Sequence, residues 1–311
     1  MFKINSPLLW ALLLIPLLNF AQYTDQINSN RPGETMSAFA LGKSVIQLET
    51  GAYGITQKHH LLNYVTNGYG IDATLRYGMF MEKLELIADI QYQSQVYEAL
   101  YIKENQKALK QTILGAKYLL YDPFKNHEKK INVYSWNANR KFSWRQLIPA
   151  VSVFAGANFT SANNPYHFSP NASISPKAIL ITQNHLGDGT WVFVTNTIAD
   201  YIGTEYPSYG YALTLTKGFN DKWSGFVENQ GYKSDFYSDA IVRAGAAYLL
   251  TDDFQIDASA SASLKNTPSI FYGGLGFSWR YDGNYNEVRM PVEDPNVLKA
   301  QKRAKKGTKK K

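Results

Sequence analysis

The chain has 311 residues, enough for one large barrel or two ordinary domains; 18% of them are charged and 14% aromatic, with 22 Tyr. It has no Cys, which excludes a disulfide framework, a thiolate metal site, a cysteine nucleophile and a lipidated N-terminal cysteine. The net charge of +7 belongs to residues 297–311, where Lys299, Lys302, Arg303, Lys305, Lys306, Lys309, Lys310 and Lys311 meet no acid, so the rest of the chain is near neutral and offers no basic nucleic-acid face.

The N-terminus begins with Lys3, runs through the apolar residues 8–18 and reaches Asn19-Phe20-Ala21. A basic start, a short apolar core and a small residue at the end predict a signal peptide over 1–21. An uncleaved anchor helix would want a longer apolar run. The mature protein is then expected outside the cytoplasm. Residues 22–43, with Asn28, Ser29, Asn30, Pro32 and Gly33, are polar and show no strand alternation. They are expected to form a periplasmic strap or partial plug ahead of the first strand.

Strand patterning starts at 44–55, where Ile46, Leu48 and Thr50 oppose Gln47 and Glu49. It continues through 62–77, with Ile71, Ala73, Leu75 and Tyr77 opposite Asp72, Thr74 and Arg76, and through 84–92, with Leu84, Leu86, Ala88 and Ile90 opposite Glu85, Asp89 and Gln91. The charged stretch 102–107 reads as a connection to a strand over 109–121 that turns Lys117 away from Leu114, Ala116, Tyr118 and Leu120. Pro123 ends it, and the basic stretch 124–146 reads as a long connection holding at most a short hairpin over 131–136.

Strands follow over 147–159, 177–184, 190–202, 209–217, 223–232, 238–250, 254–264 and 269–281. The stretch F-Q-I-D-A-S-A-S-A-S-L at 254–264 is the cleanest: every second residue is apolar and every neighbour polar. Successive side chains of a strand face opposite sides, so this strand has one oily and one wet face. Helical spacing is absent from it.

The total is about twelve strands, with ten or fourteen as alternatives. Connections are expected to alternate between long polar loops and short turns, as in outer-membrane barrels and unlike a soluble sandwich. The fold class expected is all-β, an antiparallel transmembrane barrel over 44–281 with both chain ends in the periplasm. Residues 282–311 follow as a disordered basic tail, broken by Pro291, Asp294 and Pro295.

Several stretches resemble the outer-membrane "transporter" family named after the meta-pathway of phenol degradation. The resemblance rests on N-R-P-G-E-T-M-S-A-F-A-L-G-K-S-V-I-Q-L-E-T-G over 30–51, and on 178–186, 223–228, 249–257 and 274–281. The pattern departs at 124–146 and in the tail. The resemblance implies an outer-membrane barrel and supplies no binding residues.

No nucleophile-elbow, zinc-protease or phosphate-loop motif occurs, and His59, His60, His127, His167 and His185 fall in loops, turns or strand ends. No catalytic residue, cofactor or metal site is assigned, and an enzyme is not expected. Candidate lumen-lining residues are Glu49, Asp72, Arg76, Glu85, Asp89, Lys117, Glu228, Arg243, Asp257 and Arg280, all opposite the apolar faces. They read equally as a paired network holding the barrel or as the lining of a conduction path.

Two functions follow from this reading. One is a channel or transporter for a small apolar or aromatic solute. The other is a non-transporting accessory barrel of an envelope complex. In that case the eight basic tail residues would dock a periplasmic or outer-membrane protein. Outer-membrane lipid is the expected surrounding, and nucleic acid is not an expected partner.

Overall fold

The computed structural model describes residues 27–123, 134, 144–161, 163–167, 172–187, 189–235 and 237–282. The expected signal peptide, the 131–136 hairpin apart from Tyr134, and the basic tail beyond 282 lie outside the described residues.

The strands are β1 (Ile46–His59), β2 (Tyr64–Gly78), β3 (Leu84–Ala99), β4 (Ile102–Tyr121), β5 (Ala150–Phe159) and β6 (Ile174–Leu186). They continue as β7 (Trp191–Asp200), β8 (Ser208–Gly218), β9 (Trp223–Lys233), β10 (Ser238–Thr251), β11 (Phe254–Ser263) and β12 (Ser269–Tyr281). Each pairs antiparallel with its sequence neighbours, and β12 returns to β1 in register from Ile46↔Tyr281 to Lys58↔Ser269. This closes the barrel and leaves no sheet edge, which is what a β-structure in hydrocarbon requires. The start of β1 and the end of β12 share one rim, called here the terminal rim; the opposite end is the far rim.

The two-residue period sorts the faces. On β12, Leu275 is 68% exposed and Trp279 44%, while Ser278 and Arg280 between and beyond them are buried. The outer wall carries Ile71, Leu75, Ile90, Leu114, Leu180, Val227 and Ile256 in the same way. Tyr77, Tyr121, Trp191, Trp223, Trp279 and Tyr281 are exposed near the strand ends at the terminal rim. An apolar band edged by Trp and Tyr matches a bilayer and its interface.

Three expectations need correction. Residues 102–107 are the beginning of β4, paired with β3 from Ala99↔Ile102 onward. Most of these side chains are exposed, so the hairpin rises where both faces meet water and apolar alternation is not required. Strand β6 starts at Ile174, with Pro176 opposite Ala157. The expected alternation of loop lengths fails in the first half, where the β3–β4 connection at the far rim is only 100–101 and 122–149 at the terminal rim is long. It holds in the second, where 160–173 and 201–207 at the far rim exceed 187–190, 219–222 and 252–253 at the terminal rim.

The lumen is not polar all round, as had been expected. Ile87, Ile113, Phe154, Ile179, Ile181 and Val194 belong to one buried cluster with Ala38 and Ala150. Apart from Ala38 these come from β3 to β7 and lie on the inward register. The apolar wall needs a cover, and the chain supplies it from its own N-terminal segment: Met36 and Phe39 pack against the cluster.

Candidate functional site

The described part of the strap, residues 27–44, makes a circuit inside the barrel. It begins where the Ile27 amide donates to the Asp252 carbonyl in the β10–β11 turn, 2.8 Å. It ends where the Ser44 amide donates to the Gly78 carbonyl at the end of β2, 2.8 Å. The segment has no strand pattern, so its backbone groups cannot join the sheet and must find partners on the lumen face.

Those partners come from nearly every strand. Ser29 and Ser278 hydroxyls are 2.6 Å apart, and the Asn30 amide donates to Glu49 at 3.2 Å. The Glu34 and Thr35 amides both donate to Glu228, at 3.1 and 3.2 Å, and the Thr35 hydroxyl lies 2.5 Å from that of Thr214. With its amide turned to match donor to acceptor, Asn196 accepts from the Met36 amide at 2.6 Å. Gln183 accepts from the Ser37 hydroxyl and the Ala38 amide at 3.0 Å each. Ser152 donates to the Ala38 carbonyl.

Two ionic clusters fix the circuit. The first is the chain Glu49–Arg76–Glu85–Lys117, with contacts of 2.8, 2.5 and 3.1 Å and all four side chains almost fully buried. Two acids and two bases balance, so burial leaves no net charge. Its cations hold the strap at two points: Arg76 donates to the Asn28 carbonyl at 2.8 Å, and Lys117 donates to Ser37 and Phe39 carbonyls at 2.9 and 3.0 Å. Strand β3 thus acts through Glu85, which pairs with these anchors.

The second cluster centres on Arg31. It pairs with Asp72 and, at 3.2 Å, with Asp257. Burial works against its charge, but the two carboxylates outweigh burial and raise it above the ordinary guanidinium value. Gly51 and Gly276 face each other across β1 and β12 beneath it. A methyl group at either would overlap the guanidinium, so these glycines form its slot. Further along, Arg243 bridges Glu228 and Glu34 at 3.2 Å each.

The structure thus places Glu49, Asp72, Arg76, Glu85, Lys117, Glu228, Arg243 and Asp257 on the strap or on its anchors. Asp89 instead accepts from Gln111 at 3.3 Å, and Arg280 pairs with Asp253 at the terminal rim, 2.8 Å. Sequence reasoning missed the uncharged members Ser152, Gln183, Asn196, Thr214 and Ser278. Parity could have found Ser278, two residues from Arg280, but Ser152, Gln183, Asn196 and Thr214 lie on strands without a selected charge to mark the inward face. It also missed Arg31 as a site residue, although the stretch that carries it, 30–33, belongs to the family pattern quoted above. Among the described residues no group of side chains has the makeup of a metal site.

A closed barrel with an apolar outer band, aromatic rim and internally strapped lumen defines an outer-membrane β-barrel of the porin-like kind. Its place is the bacterial outer membrane. The chain belongs to the family described as the MetA-pathway of phenol degradation, which matches residues 29–281 and so includes most of the described strap. Among solved structures, an outer-membrane channel from Pseudomonas putida F1 aligns over 80% of this chain and 99% of its own, at 11% identity and a TM-score of 0.49. The translocator domain of the autotransporter NalP from Neisseria meningitidis aligns over 77% and 89%, at 10% identity and a TM-score of 0.45. CymD, a monoaromatic hydrocarbon channel, aligns over 78% and 90%, at 11% identity and a TM-score of 0.40. No curated protein matches the sequence.

Proposed function

We propose that this barrel conducts a small apolar or aromatic solute across the outer membrane, and that its N-terminal strap is the plug that must shift for conduction. The observation that carries this is the pairing of the strap with an apolar inner wall. Met36 and Phe39 pack against the cluster to which Ile113, Phe154 and Ile181 belong. When the strap moves aside, the same wall meets whatever occupies the lumen. Such a wall suits an apolar ring and gives a charged solute nothing.

The chain's lack of Cys permits a clean test. Ser29 and Ser278 are close enough for Ser29→Cys/Ser278→Cys to form a disulfide. Reconstituted in vesicles, the oxidised protein should pass neither ions nor small neutral solutes, and reduction should restore wild-type flux. Equal flux in both redox states would remove the strap from the mechanism. No flux in either state, or from wild type, would reject conduction.

The second reading is an accessory barrel in an envelope complex, and the same filled lumen favours it. Its docking element would be the basic residues Lys299 to Lys311, on the periplasmic side if both chain ends lie there. Affinity purification with and without 297–311 tests it: a partner lost with the tail supports the reading. Recovery of the protein alone in both cases removes it.

A further inference from the structure

Beyond the strap, toward the far rim, the lumen changes character. On one wall Tyr53 donates to Gln93 at 3.0 Å, Gln93 to Gln95 at 2.6 Å, and Gln95 to Gln106 at 2.8 Å. On β9, Tyr232 donates to Gln230 at 2.8 Å, and Gln230 donates to Glu228 at 2.7 Å, which holds the strap. Strands β3 and β9 are half the closed order apart, so these two ladders face each other. Between them Tyr272 lies 6.3 Å from Tyr53, ring to ring, and receives Arg243 at 3.0 Å on its hydroxyl.

Gln93, Gln95 and Gln230 each spend one N–H and one carbonyl lone pair on ladder neighbours, while Gln106 spends only a lone pair, on Gln95. A glutamine carries two N–H donors and a carbonyl with two lone pairs. Gln93 and Gln230 are buried, so the half-buried Gln95 and Gln106 are the rungs that keep a donor and an acceptor for a passing molecule. Tyrosine rings beside amides can stack on one face of a ring-sized solute while the amides bond its rim. A pure hydrocarbon would strip water from these groups and return no hydrogen bond.

We infer that the far half of the lumen is a binding site for an uncharged, ring-sized solute carrying several hydroxyl groups. The inference rests on the channel reading and narrows its solute. The rings of Tyr53 and Tyr272 give the solute's ring a face to stack on, and the ladder amides give its hydroxyls partners. A hydroxylated ring can be aromatic or a saturated polyol, and the two are told apart by the ligands used.

Equilibrium dialysis of the detergent-solubilised full chain, against empty micelles, would measure retention of phloroglucinol, myo-inositol and toluene. Specific retention of phloroglucinol assigns the aromatic source, and retention of myo-inositol the saturated one. Gln93→Leu/Gln95→Leu should weaken that retention roughly tenfold or more, the loss expected for at least one hydrogen bond. Tyr232→Phe, which removes one hydroxyl from the opposite wall, should weaken it less. Heat-modifiable migration on gels checks that both variants keep the barrel. Retention of neither hydroxylated ring would overturn the inference, as would toluene retained as well as phloroglucinol with the variants unchanged. Retention without vesicle flux would reject conduction and leave the site standing. Flux with no preference for hydroxyls would do the reverse.

Discussion

Lys117 is fully buried, and its charge is tolerable only because Glu85 lies 3.1 Å away and two strap carbonyls accept its remaining protons. Lys117→Met removes the cation and leaves a four-member cluster with one acid too many. Breaking a buried pair in this way costs about 3 to 5 kcal/mol. Urea titration of the barrel folded into vesicles should show that loss, and Lys117→Met/Glu85→Gln should recover part of it by restoring neutrality. Equal losses in the two variants would mean that charge balance is not what holds the cluster. Arg31 makes a second test at the same scale. Arg31→Met deletes the cation, while Gly276→Ala keeps it but fills its slot. Both should release the strap to added protease and raise ionic conductance, and the agreement between them is the prediction. A Gly276→Ala protein with a protected strap would show that Arg31 can sit elsewhere. The charged members of the site were legible from parity alone, since a charge on the lipid face would cost about 2 to 4 kcal/mol near mid-membrane. Arg31 was not legible, because its partners Asp72 and Asp257 lie on strands far away in sequence and no local pattern brings them together.

The strands themselves were legible wherever one face meets lipid, as in β11, where Ile256 and Asp257 face opposite ways. They were illegible wherever both faces meet water, as at the start of β4. The inner apolar wall was hidden for a related reason. Ile179 and Ile181 alternate with the outward Leu180, so β6 reads as a continuous apolar run and gives no parity. Only the strap explains why both faces are oily. The described part of the loop after β5 shows how an irregular element is held instead. Tyr166 donates to the Gln93 carbonyl at 3.0 Å, and His167 Nε2 lies 2.9 Å from the Lys110 carbonyl, while the Tyr201 hydroxyl lies 3.3 Å from His167 Nδ1. The first contact needs a proton on Nε2, and the second, read as acceptance from Tyr201, needs a bare Nδ1; both are met by the neutral ring. Burial, the main cause, lowers the His167 pKa from its ordinary value of 6.5. The native loop therefore favours the neutral form. Its stabilising share is complete above the ordinary imidazole range and is lost as pH falls toward the depressed native value. Amide protection in residues 163–167, taken relative to the intrinsic exchange rate at each pH, should fall between neutral and mildly acidic pH, and His167→Phe should remove most of that dependence. An unchanged pH profile in His167→Phe would place the sensitivity in another group.

At the scale of the molecule, the barrel has two hydrophobic interfaces, one with lipid and one with its own N-terminal segment. The first makes the whole outer wall intolerant of charge. Leu275→Arg, near the middle of β12, should cost about 2 to 4 kcal/mol in vesicle refolding. The second interface distinguishes this barrel from an empty tube. The strap covers an apolar wall, satisfies the buried cations Arg76 and Lys117, and closes the carboxylates of Asp72 and Asp257 around Arg31. It is as much core as plug. Deleting residues 27–43 therefore has two separable effects. Strand pairing around the closed order is independent of the strap, so heat-modifiable migration should persist. The apolar wall and the unmatched charges would face water in the lumen, so the unfolding midpoint in urea should fall while ionic conductance rises. A deletion that opens the pore at unchanged stability would make the strap a dispensable lid. A deletion that abolishes folding altogether would make it an obligate core on which the barrel forms.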